Sequence, residues 1–391
     1  MEKSNEVIVV IPVYRSMTFF ERVSMMQCLR ILGHYPIALF MGDTFCADEF
    51  LALHPFRVER FKDDYFKSQK GYNALCLSDE FYERFSDYEY MLIYQLDAFV
   101  FSNQLMKFCL KGYDYIGAPL LRGSWKGNRN RVGNGGFSLR NIKSCLRMLR
   151  DFPPKKVFST RNESFIYEDM YFAACADIKA ANFKVPSMRE AIEFSVDFDV
   201  FHCYRWMPKW LPFGCHAWDH VDYWLWKPII ESQGYELPPV ENDQSRTYRF
   251  NRCVPYLIKR FLRTEGSLKN KIMERILKLI PPKQMLAIWG WGLVGKNMAK
   301  ILSLAGRHVS VIFDKKAPSN ETDVKAKFVK PDLAYINKNN FFIVISTTAY
   351  ENEIADELSA HGFTEGKDYM RVTALVREIA NAYMRSFTNK K

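Results

Sequence analysis

Apolar residues fall along this chain in short runs, with helix-length amphipathic stretches between them, the signature of strands alternating with helices. Val7-Ile8-Val9-Val10-Ile11, closed by Pro12, predicts a first buried strand running into the loop Val13-Tyr14-Arg15-Ser16. Met25 to Ile31 fits a helix and Pro36 to Phe40 a second strand, an alternation that builds a parallel sheet. The polar turn Ser68-Gln69-Lys70-Gly71-Tyr72-Asn73 leads into one helix carrying Leu75, Leu77, Phe81 and Phe85. Tyr90 to Phe101 is the most apolar run of all and predicts a single strand buried on both faces. Tyr113 to Pro119 reads as a short strand closed by a Gly/Pro turn. In Ser164 to Phe172 the acids Glu168 and Asp169 sit inside a helical pattern, Phe165 and Phe172 sharing a face.

From Tyr256 onward the pattern changes. Leu257, Ile258, Phe261 and Leu262, then Leu268, Ile272, Met273, Ile276, Leu277 and Ile280, recur at helical spacing with basic residues between them. Two amphipathic helices broken near Gly266 and ended by Pro281-Pro282 follow from that spacing. Met285 to Gly295 then opens a second α/β unit: a strand, the sequence G-x-G-x-x-G at Gly290, Gly292 and Gly295, a helix over Lys296 to Leu304, and a strand His308 to Phe313 ending at Asp314. An acid at about that distance from the glycines is what a ribose-binding loop requires. A further strand is expected over Phe341 to Ser346. The remaining length is short for two mononucleotide halves, so NAD or another nucleotide is set behind a structural or regulatory role. The expected division is 1–245, a basic helical linker 246–283, and a smaller Rossmann-like α/β domain 284–391.

Composition narrows the class. The 391 residues allow two domains, and 48% hydrophobic with 15% aromatic content is that of a globular chain. No run approaches the roughly 18 apolar residues of a membrane span, and Met1 to Glu6 lacks the form of a signal peptide. A cytoplasmic location is expected. Nine cysteines without a C-x-x-C pair suggest reduced thiols and no zinc site. The net charge is +11, yet Arg246 to Lys283 alone carries eleven Lys/Arg against Glu265 and Glu274. About +2 is left for everything else, which argues against a nucleic-acid surface spread over the fold. The basic helices are either a connector packing its apolar stripe inward or an attachment to an anionic membrane surface.

The candidate chemistry begins with Asp97, the one acid in the longest apolar run. A carboxylate desolvated there must find a cation, a metal or hydrogen-bond donors, and ligands of open α/β sheets sit at strand ends. Gly133-Asn134-Gly135-Gly136 places three glycines in four positions, so either the backbone turns with positive φ or something approaches it closely. Of Glu168 and Asp169, neighbours about 100° apart on a helix, only one aims at a given pocket and the other is solvated or structural. His216, just after a glycine, is the better ligand; His220 reads as a hydrogen-bonded core residue.

Taken in order, Q-L-D-A-F (Gln95 to Phe99), D-Y-I-G-A-P (Asp114 to Pro119), G-N-G-G-F-S-L-R (Gly133 to Arg140), Y-E-D (Tyr167 to Asp169) and P-F-G-C-H-A-W (Pro212 to Trp218) resemble a bacterial family described as glycosyltransferase-like but still labelled a domain of unknown function. The resemblance implies a GT-A fold, a Rossmann-like mixed sheet binding a nucleotide sugar at its strand ends. In such folds an Asp-x-Asp motif holds a divalent metal; here Gln95 stands in place of the first acid. The resemblance implies Asp97 and His216 as ligands of Mn²⁺ or Mg²⁺, or else Arg15, Lys70 or Arg140 neutralising the diphosphate without metal. It further implies Asp169 as general base beside Glu168, Asn134, Gly135 and Gly136 against the sugar or acceptor, and Tyr14 and Arg15 flanking the nucleotide. A glycosyltransferase of cell-surface polysaccharide or glycolipid assembly is expected, using a nucleotide-sugar donor and a glycan or lipid-linked acceptor. The competing readings are an NAD-dependent sugar-nucleotide oxidoreductase, which lacks a Tyr-x-x-x-Lys pair after the glycines, and a non-catalytic sugar-nucleotide-binding or scaffold protein.

Overall fold

The computed structural model describes residues 6–120, 132–158, 166–197, 200, 203, 211–220, 222–238, 254–282, 284–315, 326–332, 336 and 340–388. They fall into two compact units, Met1–Val221 and Asp222–Lys391. The expected boundary at 245/246 lies outside the described residues.

The first unit is built on a six-stranded mixed sheet. Strands β1 (Val7–Pro12), β2 (Ile37–Gly42), β3 (Arg57–Phe61) and β4 (Tyr90–Tyr94) run parallel. Strand β7 (Phe137–Asn141) is antiparallel to both β4 and the short β6 (Tyr115–Ile116), giving the order β3-β2-β1-β4-β7-β6. Burial on both faces explains the unbroken apolar runs. In β1 the residues Val7, Val9 and Ile11 enter one core with Met25 and Cys28 of helix α1 (Phe19–Leu32). Ile8 and Val10 enter the opposite core with Phe40, Phe81 and Phe172.

Capping fixes where the helices begin. Thr18 and Glu21 form a reciprocal capping box at the start of α1. The helix expected from Leu75 through Phe85 is two: α2 (Gln69–Cys76) and α3 (Asp79–Glu83), because Ser78 accepts a hydrogen bond from the Phe81 N–H and starts a new helix. The long run at Tyr90 to Phe101 is likewise not one strand. It stops at Tyr94, turns through Gln95–Ala98, and resumes as β5 (Phe99–Val100) in a separate three-stranded sheet of order β5-β9-β8, where β8 is Ser195–Val196 and β9 Gly214–Cys215. Helix α4 (Ile142–Asp151) follows β7. Helix α5 (Glu168–Cys175) starts at Glu168, so the acids occupy its first turn rather than its interior; Ser164 and Phe165 lie outside the described residues.

The second unit carries an all-parallel sheet, β12-β11-β10-β13-β14, from β10 (Met285–Trp289), β11 (Val309–Phe313), β12 (Lys327–Val329), β13 (Phe341–Ile345) and β14 (Tyr369–Arg371). Helix α6 (Tyr223–Ser232) precedes the basic segment, whose two helices span residues 254–262 (α7) and Gly266–Lys278 (α8), broken at Gly266 with φ +72°. Arg246 to Cys253 and Lys283 lie outside the described residues. Of the apolar stripe, Leu257, Ile258, Phe261, Ile272, Ile276 and Ile280 are buried and pack inward, Leu262, Leu268 and Met273 are half-buried, and Leu277 is exposed. Helix α9 (Leu293–Leu304) follows the glycine sequence, α10 (Glu351–Ala360) follows β13, and α11 (Val372–Thr388) packs on α6 and α8. Among the described residues no disulfide forms, and no described helix is long and apolar enough to cross a membrane.

Candidate active site

The parallel strands β1 and β4 end on the same edge of the sheet, and β7, running the other way, begins there: Tyr94 pairs with Phe137. Tyr14 follows β1, Asp97 follows β4, and the glycine segment precedes β7. Topology alone therefore gathers three of the distinctive stretches.

The small sheet gathers the rest. Directly after Asp97, β5 pairs with β9, through Phe99 with Cys215, and β9 leads straight into His216. Parallel to β9, β8 leads into Asp197, and the His216 N–H donates to Val196 O (3.1 Å). The Trp218 N–H donates to Asp97 O (3.2 Å), tying the 216–220 loop to the turn. His216 ends up between two acids: its Nδ1 is 3.3 Å from Asp197 Oδ1, and its Nε2 is 3.2 Å from Asp97 Oδ1 and 3.1 Å from Gln95 Oε1. All its ring neighbours are acceptors. Burial disfavours a charged ring here, but Asp97 and Asp197 outweigh it and hold His216 protonated well above the usual imidazole range. Burial opposes the charge of Asp97 as well, yet His216 and His220 keep that carboxyl below its ordinary value. Asp197 is pushed up by burial, only partly offset by His216.

The glycines solve a packing problem. None of Gly133, Gly135 and Gly136 has positive φ, so close approach is their reason. A Cβ on Gly136 would overlap His216 Nε2 and Gln95 Oε1, and one on Gly135 would overlap Glu168 Oε1. What these positions admit is the protein's own side chains. Asn134 locks the turn, its Oδ1 accepting from the Gly136 N–H (3.1 Å) and its Nδ2 donating to Asp197 Oδ2 (3.0 Å), while Gln95 N–H donates to Gly136 O (2.8 Å).

The adjacent acids take different environments. Glu168 is buried against Arg140, Nη2 to Oε2 2.7 Å, and its N–H donates to Asn73 Oδ1 (2.7 Å). It is the structural acid of the two, and it is not solvated. Asp169 lies beside Gly133, accepts from the Met170 N–H (2.7 Å), and is pushed up to about 7 by burial and by the neighbouring charge of Glu168.

The expected cations do not converge. Arg140 is fully buried and engaged with Glu168, Tyr82 and Ser138, so it is sealed away from any diphosphate. Arg15 is spent on a two-point contact with Glu21 (2.7 and 2.8 Å). Lys70 stands exposed in the first turn of α2. Tyr14 is half exposed and feels the charge of Asp97, after the larger effects of burial, Arg15 and Glu21, with a phenol raised above its usual range.

Beside the expected pair Asp97 and His216 stand further ligand types. Asp97, Asp219 and His220 bring ligand atoms within 4.8 Å of one another, and His216 lies between Asp97 and Asp197 next to them. Two carboxylates and one imidazole suit Mn²⁺ and, less well, the all-oxygen preference of Mg²⁺. His220 is thus a surface residue of the cluster, 3.6 Å from Asp97 Oδ2 and 2.6 Å from Asp219 Oδ1, and not a core histidine. Hydrogen bonding to Asp219 raises it above the usual imidazole value, against burial. Sequence reading also passed over Asp197 and Asp219. Asp197 closes the short stretch Phe194-Ser195-Val196, where the polar Ser195 interrupts the apolar signature that singled out Asp97.

In the second unit Gly290 turns with φ +103°, Gly292 starts α9, and Gly295 backs onto Gly290 O so closely that a Cβ would clash. Asp314, just past β11, accepts from the Trp291 N–H (2.7 Å), closing the loop on itself.

Residues 55–216 match the family described as "Protein of unknown function (DUF5672)". No curated protein matches the chain. Among solved structures the chain is similar to the apo form of the glycosyltransferase GlyE of Streptococcus pneumoniae TIGR4, at 10% identity and TM-score 0.39, over 91% of this chain and 99% of that one. A second structure of the same GlyE gives 11% identity and TM-score 0.36 over the same shares.

Proposed function

We propose that this protein is a glycosyltransferase, moving a sugar from a nucleotide-sugar donor to a hydroxyl of a glycan or lipid-linked acceptor in cell-surface polysaccharide or glycolipid assembly. The observation that carries the reading is the gathering of Asp97, Asp219 and His220 at the carboxyl end of β4, on the same sheet edge as the turn that meets Glu168 and Asp169. Open α/β sheets bind ligands at that edge.

Each residue has a role in the chemistry. Asp97, Asp219 and His220 would hold Mn²⁺ or Mg²⁺, and the ion would neutralise charge on the departing diphosphate. Tyr14 flanks the nucleotide from the end of β1. Asp169 takes the proton of the acceptor hydroxyl as its oxygen bonds to the anomeric carbon and the sugar–phosphate bond breaks, the electron pair leaving with the nucleoside diphosphate. A base with a pKa near 7 is well matched to that task. The product is inverted. Gln95, His216, Asp197 and Asn134 hold the Asp97 turn in place.

The test is a panel of nucleotide sugars incubated with the protein, with Mn²⁺ or with chelator, following nucleoside diphosphate release. Release from one donor, abolished by Asp97→Ala and by chelation, is expected. Reduction of NAD with no release from any donor would replace this reading by the oxidoreductase one.

A further inference from the structure

Behind Asp169 lies a buried ion pair that the proposed reaction does not itself use. Arg140 and Glu168 are 0% and 5% exposed, 2.7 Å apart. Desolvating two such ions costs several kcal/mol each, and a well-packed apolar pair of similar volume is often at least as stable. Packing alone gives no reason for charges here.

The pair is held from several directions. Arg140, on β7, donates to Tyr82 OH (3.0 Å), Ser138 Oγ (3.1 Å) and Gly135 O (3.4 Å), and lies over the Tyr115 and Phe172 rings. Glu168 is gripped at its backbone by Asn73 of α2, and its carboxylate fills the space that Gly135 leaves. Main chain and side chain of the residue next to Asp169 are therefore both fixed, by α2, β7 and the glycine turn together. Asp169 inherits that fixed direction through one peptide bond.

We propose that the Arg140–Glu168 pair is the positioning device of Asp169: it fixes the backbone from which that carboxyl projects and holds a negative charge beside it. This rests on Asp169 being the base of the proposed transfer. Among the described residues, the charged or titratable groups acting on Asp169 are Glu168 from its own helix, Arg140 from β7, Asp197 beyond β8 and the Tyr115 phenol on β6. Glu168 and Asp197 favour the protonated acid and Arg140 opposes them, with burial as the largest contribution in the same direction as the acids. The acid that does not react tunes the one that does.

Glu168→Gln keeps the shape and removes the charge. The Asp169 carboxyl is followed by ¹³C NMR through a pH titration, its signal identified by its loss in Asp169→Asn, so that the readout needs no turnover. Its midpoint is expected to fall by about one pH unit or more, and the acid limb of donor-dependent release to move down with it. Orphaning Arg140 in the interior is strongly destabilising, so Arg140→Met/Glu168→Gln is measured alongside, with a smaller fall expected. A folded variant of either kind whose Asp169 titrates where the wild type does, or higher, overturns the proposal. A midpoint that falls in a protein releasing nothing from any donor leaves the tuning standing and removes the glycosyltransferase reading instead.

Discussion

At the residue scale, His216 and Gly136 set terms that a single substitution can test. An imidazole that holds its proton more tightly in the native state than in the unfolded chain contributes stability that is complete below the unfolded value of 6.5 and is lost as pH rises through the higher native value. Asp169 contributes in the same sense, but only up to about 7, where its native carboxyl has ionised. Urea unfolding of the wild type is therefore expected to weaken further as pH rises above about 7, and His216→Gln to flatten that slope; equal slopes would contradict a charged His216. Gly136→Ala must displace His216 or Gln95, both held by hydrogen bonds, and is expected to cost about 1–3 kcal/mol in denaturant unfolding. Legibility at this scale was uneven for a physical reason. Asp97 stood out because its neighbours are apolar, and the glycines because they are crowded. Asp197 and Asp219 sit among aromatic and polar residues, and only the β5-β9-β8 pairing shows what they face.

At the scale of elements, hydrophobic runs located β1, β2, β4, β10, β11 and β13, since each is buried on both faces of its sheet. The same logic concealed the break after Tyr94. Between β4 and β5 burial is relieved only at the half-buried Gln95 and Asp97 although the two strands belong to different sheets, and an apolar pattern records burial, not partnership. The edge strand β3 was hidden too, by Arg57, Glu59 and Arg60. The split between α2 and α3 turned on one capping hydroxyl, so Ser78→Ala is expected to destabilise by about 1 kcal/mol, read by the same unfolding titration. The basic helices were legible in spacing and break alike, and most of their apolar residues are buried, Leu277 excepted. Adsorption to anionic vesicles through their lysines and arginines is expected to be purely electrostatic. It should vanish from vesicles of neutral lipid and at roughly 1 M salt, where the screening length falls to about 3 Å; binding that survives both would call for an apolar contact.

At the scale of the molecule, every residue assigned to the transfer belongs to Met1–Val221, and the glycine sequence with Asp314 belongs to Asp222–Lys391. If the two sites are energetically independent, Asp314→Ala, which releases the Trp291 N–H, should leave donor-dependent release within about twofold of wild type; a loss of tenfold or more would make the second unit part of the reaction. The presence of two sheets was readable because in each the first strand is followed by a glycine or loop signature. Which of them holds the chemistry was not readable from strands alone, and rests on the acids that the first sheet brings to one edge. The most direct measurement of that claim is an anomalous difference map from crystals grown with Mn²⁺ and a nucleoside diphosphate. One Mn²⁺ peak among Asp97, Asp219 and His220, with diphosphate oxygens on the ion, is the predicted result; diphosphate bound at Gly290–Gly295 with no peak beside Asp97 would contradict it.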